Sequence, residues 1–163
     1  MRVTAELVAM ALLLVAGRAA WAQGGVPDSG STPGALNPDV TQENIGETIC
    51  VRGWTRTIRP PEAHTEDLKQ RQIREYGYAD QRLGHYEVDY LWALDIGGSP
   101  TDPRNLWPEP WRTADGWGAD RKDELEYALN RLVCSDRVPL AEAQQAMAVD
   151  WVAAYRRHIS SGE

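Results

Sequence analysis

Between Tyr86 and Trp111 the chain reads YEVDYLWALDIGGSPTDPRNLWPEPW, and this stretch limits the fold more than any other. It opens as a strand in which Val88, Tyr90 and Trp92 alternate with Glu87, Asp89 and Leu91. Aromatic and β-branched residues suit a pleated, half-buried surface. Gly97-Gly98 breaks the strand, and Ser99, Pro100, Asp102 and Pro103 carry the chain through a surface loop. Order resumes at Asn105 as a short extended Asn-Leu-Trp-Pro piece that Pro108 closes. A long ordered loop held between two short strands points to function rather than to mere connection.

A helical run follows from Ala119 to Cys134, with Leu125, Ala128, Leu129, Leu132 and Val133 on one stripe. Lys122, Asp123, Glu126 and Asn130 are assigned to its opposite face. Upstream, Thr48 to Trp54 reads as a strand, and Pro60-Pro61 stops it. Thr65 is placed to cap a helix over Glu66 to Tyr76, with Gly77 as its C′ residue. Pro139 starts a last helix to about His158, whose core side is Leu140, Ala143, Met147, Ala154 and Tyr155. The pattern is α+β: a small β-hairpin plus a helix, with additional helices around them.

Residues 1–22 read as a signal peptide. Arg2 precedes the apolar run Val8 to Ala16, and Ala20-Trp21-Ala22 forms a small-x-small cleavage site before Gln23. The run is shorter than the roughly 20 residues of a membrane span, so no span is expected in the mature chain. The protein is therefore expected to be exported, to the periplasm or the medium. Residues 23–38 (QGGVPDSGSTPGALNP) hold almost no bulky apolar side chains and are expected to form a flexible leader. One domain over 39–159 and a short tail over 160–163 remain. After export Cys50 and Cys134 are expected to pair, closing a loop of more than 80 residues for ~4 kcal/mol in the chain-entropy model. The alternative is two buried thiols. The formal charge is −7, and loss of Arg2, Arg18 and Glu6 makes the rest one unit more acidic. That balance does not favour indiscriminate phosphate binding. A local cluster of Arg52, Arg56, Arg59, Lys69, Arg71 and Arg74 is either a nucleic-acid patch or a solvated basic face.

The segment from the strand through Gly97-Gly98 to Asn105-Leu106-Trp107-Pro108 resembles the core of the HNH nucleases, the ββα-metal or His-Me-finger group. The wider chain from Thr48 to Tyr155 is similar to exported bacterial members. In that family an Asp ligates the metal, the next residue is a His that activates water, and a loop Asn orients the His. The resemblance places Asp89 at the ligand position, Asn105 at the orienting position and Tyr90 where the family has its His. It implies a ββα-metal-like core whose helix is Ala119–Cys134. Asp123 or Glu126 then completes the shell of a divalent metal, Mg²⁺ or Mn²⁺, and nucleic acid is the partner. The alternative for both acids is a solvated helical face.

The missing His bears directly on activity. A phenol with a pKa near 10 stays protonated at neutral pH, and loss of a general base typically removes ~10²–10⁴-fold of rate. The substitutes are a Tyr90 whose pKa is lowered by a metal or an Arg, or His85 reaching in. The sequence holds no Gly-x-Ser-x-Gly elbow and no phosphate-cradling Gly-rich loop. Two readings follow: an HNH-like domain with weak or lost phosphodiester hydrolysis, or a non-catalytic binding or structural module on the same scaffold.

Overall fold

The structure, a computed structural model, describes residues 25–159. The expected cleavage site and the 160–163 tail lie outside the described residues. In chain order the main elements are α1 (Trp54–Ile58), α2 (Glu62–Glu75), β1 (Tyr86–Tyr90), β2 (Leu106–Pro110), α3 (Ala119–Cys134) and α4 (Leu140–His158). The fold is α+β. The strands pair antiparallel with Asp89 opposite Trp107 and Val88 opposite Pro108. One hairpin face, carrying Tyr90, Leu106 and Val88, packs with Leu68 of α2 and Ile58 of α1. The other face turns to α3, which packs in turn against α4 around Leu125, Leu129, Val133, Ala143 and Met147.

The strand does not close at Pro108 but passes through it to Pro110. Trp111 N–H donates to the His85 carbonyl (3.1 Å) and Leu91 N–H to that of Asn105 (2.8 Å). Counting by two from those pairs, positions 108 and 110 turn their backbone nitrogens to the outer edge, where a proline loses no ladder bond. The same register turns the carbonyls of Tyr86 and Tyr90 outward on β1. Lys69 Nζ donates to the first (3.4 Å) and Lys122 Nζ to the second (2.7 Å). Both edges of the small sheet are thereby blunted.

Gly97-Gly98 does more than punctuate. Gly97 sits at φ +83, and a Cβ on Gly98 would lie 1.6 Å from the Trp92 carbonyl oxygen. Only glycine allows the loop to fold back this closely on the end of β1.

Three sequence expectations are corrected. Thr48–Trp54 is not a strand but a series of turns, in which Cys50 N–H donates to Ile45 O and Trp54 N–H to Val51 O. Gly53 takes the left-handed conformation (φ +85), and Cys50 is joined to Cys134 of α3 by the expected disulfide. Helix α2 starts at Glu62 with Pro61 as its cap residue; Thr65 sits inside it, donating to the Glu62 carbonyl. Its end is as expected. Gly77 (φ +69) donates to Arg74 O and Tyr78 N–H to Ile73 O, a Schellman closure.

The third correction is the leader. From residue 25 onward it is a fixed strap rather than a flexible segment. Gly34 N–H donates to Arg104 O (2.8 Å), Asn37 N–H to Gly97 O (2.9 Å), and Ser99 N–H to Ala35 O (2.8 Å). Trp151 Nε1 donates to Gly25 O (2.5 Å), and Thr32 is fully buried beside the Tyr76 hydroxyl. Poor apolar content prevents a segment from building a core of its own. It does not prevent its backbone from pairing with a loop that needs partners. Helix α4 spans the expected range, with Pro139 as its cap residue and a break at Asp150 (φ −162, ψ 85). There the Asp150 carboxylate accepts from Ala153 N–H and caps the second half.

Candidate functional site

The residues singled out by sequence converge on the loop end of the hairpin, but not in the expected arrangement. Asn105 is fully buried. Its Oδ1 accepts from Trp92 N–H (2.9 Å), and its Nδ2 donates to the carbonyls of Trp92 (3.0 Å) and Ser99 (2.9 Å). It pins the end of β1 and the returning loop, and it does so through backbone groups of Trp92 and Ser99 rather than through the side chain at position 90.

Tyr90 and Asp89 face opposite sides of the hairpin. The Tyr90 ring belongs to the apolar cluster under α2, with the Arg59 guanidinium 5.7 Å from its centroid and its hydroxyl donating to Pro100 O (3.4 Å). Burial raises its pKa, Arg59 lowers it only in part, and Asp89 adds to the rise. The phenol is therefore held protonated to higher pH than a free tyrosine, so it is not the lowered-pKa substitute for the missing His. Nor can His85 reach in. It precedes Tyr90 by five residues of extended chain, ~16 Å at about 3.3 Å per residue. There its Nδ1 pairs with Asp80 Oδ2 (2.7 Å).

On the α3 side lies a group that the sequence reading divided wrongly. Lys122 is not on a solvated face; its side chain is fully buried. Leu125, Leu129 and Val133 follow it at three, seven and eleven residues, so it heads the same stripe. Its ammonium donates to Asp89 Oδ2 (2.7 Å), to the Tyr90 carbonyl (2.7 Å) and to Glu126 Oε1. All three N–H donors are thus used. Asp89 Oδ2 also accepts from Trp107 Nε1 (3.0 Å). Glu109, which the sequence reading did not mark, shares this hairpin face and is fully buried. Neither of its carboxyl oxygens meets a hydrogen-bond donor among the described residues. The alternating parity of Glu87, Asp89 and Glu109 in the two strands was the available signal, since it puts three acids on one face of the hairpin.

The electrostatics follow from one ammonium among several carboxyls. Burial works against the charged Lys122, but Asp89, Glu126 and Glu109 outweigh it and raise its pKa. Burial likewise lifts Glu87 to about 7 and Glu126 to about 8, the latter despite Lys122, and holds Glu109 well above 4.5. Asp123 is raised by partial burial and by Asp89, and forms no hydrogen bond or ion pair among the described residues. As arranged, the implied metal ligands do not fit a metal ion. The Asp89 and Glu126 oxygens are taken by Lys122, Asp123 stands apart, and no group of three or more His, Cys, Asp or Glu among the described residues is placed to hold one.

These raised carboxyls make stability depend on pH in one direction. Between pH 4.5 and about 8 the folded protein holds protons that the unfolded chain releases. Their contribution is complete below pH 4.5 and is lost as pH rises through 7 and 8. The urea midpoint is expected to be lower at about pH 9 than at about pH 5, and Glu126→Gln should flatten the slope. A midpoint that rises over this range contradicts the assignment.

No helix among the described residues is long and apolar enough to cross a membrane. No protein-family model, no curated protein and no solved structure matches the chain.

Proposed function

We propose that the protein is an exported, disulfide-bonded domain on an HNH-like scaffold that has lost phosphodiester hydrolysis and serves as a binding or structural module. The observation that carries this reading is the state of Asp89. Its Oδ2 accepts from Trp107 and from the buried Lys122 ammonium, so the carboxylate needed for a metal is already neutralised. Tyr90 supports it, because a buried phenol with a raised pKa cannot replace an imidazole base. The leader over residues 1–22 and the Cys50–Cys134 disulfide support export. Nucleic acid is retained as a partner on the exposed Arg52, Arg56, Arg59, Arg71 and Arg74 side chains, against the net charge of −7. Lys69 leaves that group, since it is buried against Glu66 (2.6 Å).

The test is plasmid nicking with Mg²⁺, Mn²⁺ or EDTA by wild type, Asp89→Asn and Tyr90→His. All three are expected to leave the plasmid intact. Tyr90→His restores the family's residue type but not an open ligand, because Lys122 still holds Asp89. Efficient metal-dependent nicking by wild type that Asp89→Asn abolishes would sink the proposal.

A further inference from the structure

A cleft of about 380 Å³ lies between β1 and the corner that joins α1 to α2. Its walls include Arg59, Glu62, Lys69, Glu87, Tyr90 and Trp111. Lys69 is matched there, held by Glu66 (2.6 Å) and by the Tyr86 carbonyl (3.4 Å). Arg59 and Glu87 are not. The Glu87 carboxyl makes no hydrogen bond or ion pair among the described residues, and its Oε2 is shut off from solvent. The Arg59 guanidinium makes none either; it lies over the Tyr90 ring, 5.7 Å from the centroid. We infer that this cleft binds a free α-amino acid with an apolar side chain, its carboxylate on Arg59 and its ammonium on Glu87. The inference rests on the binding-module half of the proposed function and does not need the nuclease resemblance.

The two groups act on each other, since Arg59 lowers the pKa of Glu87 in part, yet they do not close into an ion pair. Each is held in place. Glu87 stands on a paired strand opposite Glu109, and Arg59 is attracted to the face of Tyr90. A held guanidinium and a held carboxyl with space between them favour a ligand that carries both opposite charges. The guanidinium fork matches a carboxylate. Burial and the neighbouring Asp89 and Asp123 disfavour charge on Glu87, so a ligand ammonium supplies the counter-charge it lacks. A simple anion would meet Glu62, Glu66 and Glu87, and a simple cation would meet Arg59 and Lys69, so the cleft selects against both. Trp111, 39 % exposed, and Val88 offer apolar surface for the side chain. The volume stands at the lower end of the ~300–1,000 Å³ range of small-molecule sites, which suits one amino acid.

Calorimetric titration compares L-phenylalanine with phenethylamine, which lacks the carboxylate, and with phenylpropionate, which lacks the ammonium. Wild type is expected to bind one L-phenylalanine per chain. Each truncated probe should bind at least ~10-fold more weakly, the loss for one charge-assisted hydrogen bond. Arg59→Met should remove the advantage of L-phenylalanine over phenethylamine, and Glu87→Gln its advantage over phenylpropionate. Arg59 is exposed and glutamine is isosteric with glutamic acid, so both variants should keep the wild-type circular dichroism. A wild type that binds neither L-phenylalanine nor L-leucine at millimolar concentration overturns the inference, as does equal binding of all three probes. So do folded variants that keep the full preference. Tighter binding of glycyl-phenylalanine than of L-phenylalanine overturns the assignment to a free amino acid. These outcomes are separable from the loss of hydrolysis: a wild type that binds no amino acid and nicks no plasmid sinks the cleft alone.

Discussion

Asp89→Ala is expected to lower the unfolding free energy by ~3–5 kcal/mol, the range for breaking one side of a buried ion pair. Of the other two groups on the ammonium, Glu126 has its pKa raised by burial and Tyr90 offers only a carbonyl dipole. Without Asp89 the fully buried ammonium must lose its proton or draw water inward, and Trp107 Nε1 loses its acceptor as well. Asp89→Asn should cost less, because an amide oxygen still accepts from Trp107 and Lys122. The pair is coupled, so Asp89→Asn/Lys122→Met should be more stable than the sum of its single changes implies, by more than about 1 kcal/mol. Urea unfolding of the four proteins measures this. A loss under ~1 kcal/mol for Asp89→Ala would show that Lys122 does not depend on the carboxylate.

The reach of sequence reasoning differs by element for physical reasons. Helix α3 is found with its expected bounds, Ala119–Cys134, because a leucine stripe at helical spacing is a local signal. The hairpin and the Cys50–Cys134 disulfide are legible too: alternation and turn residues encode the first, and an even cysteine count the second. The strap over residues 25–38 is not legible, since what holds it is backbone bonding to Gly97, Ser99 and Arg104, which composition does not record. Lys122 is a different kind of miss. Its spacing from Leu125 and Leu129 placed it on the buried stripe, but a lysine is assigned to solvent by default because it is almost never buried unless paired. The acids that pair it are Asp89, on another element, and Glu126, one turn on. Strong local periodicity yields the helix; only tertiary placement yields the site.

Asn105→Ala is the second large effect, with an expected loss of ~3–4 kcal/mol. The side chain is fully buried and makes three strong hydrogen bonds, all to backbone: Trp92 N–H, Trp92 C=O and Ser99 C=O. Each bond contributes about 1 kcal/mol net, and a buried group left without a partner costs about 1–3 kcal/mol more. Asn105→Asp tests the mechanism. It keeps the acceptor for Trp92 N–H but turns the two donated bonds into contacts between a carboxylate and carbonyl oxygens, so it should be no better than alanine. The damage should be local before it is global. Gly97, Ser99 and Arg104, the loop partners of the strap, lie in the segment that Asn105 closes. Hydrogen exchange should therefore speed up first at Gly34, Asn37 and Ser99, while the amides of α3 and α4 keep their protection until global unfolding. A substitution that costs under ~1 kcal/mol, or one that loosens α3 and the strap equally, would mean that the loop is held by its glycines and by the strap, with Asn105 a passenger.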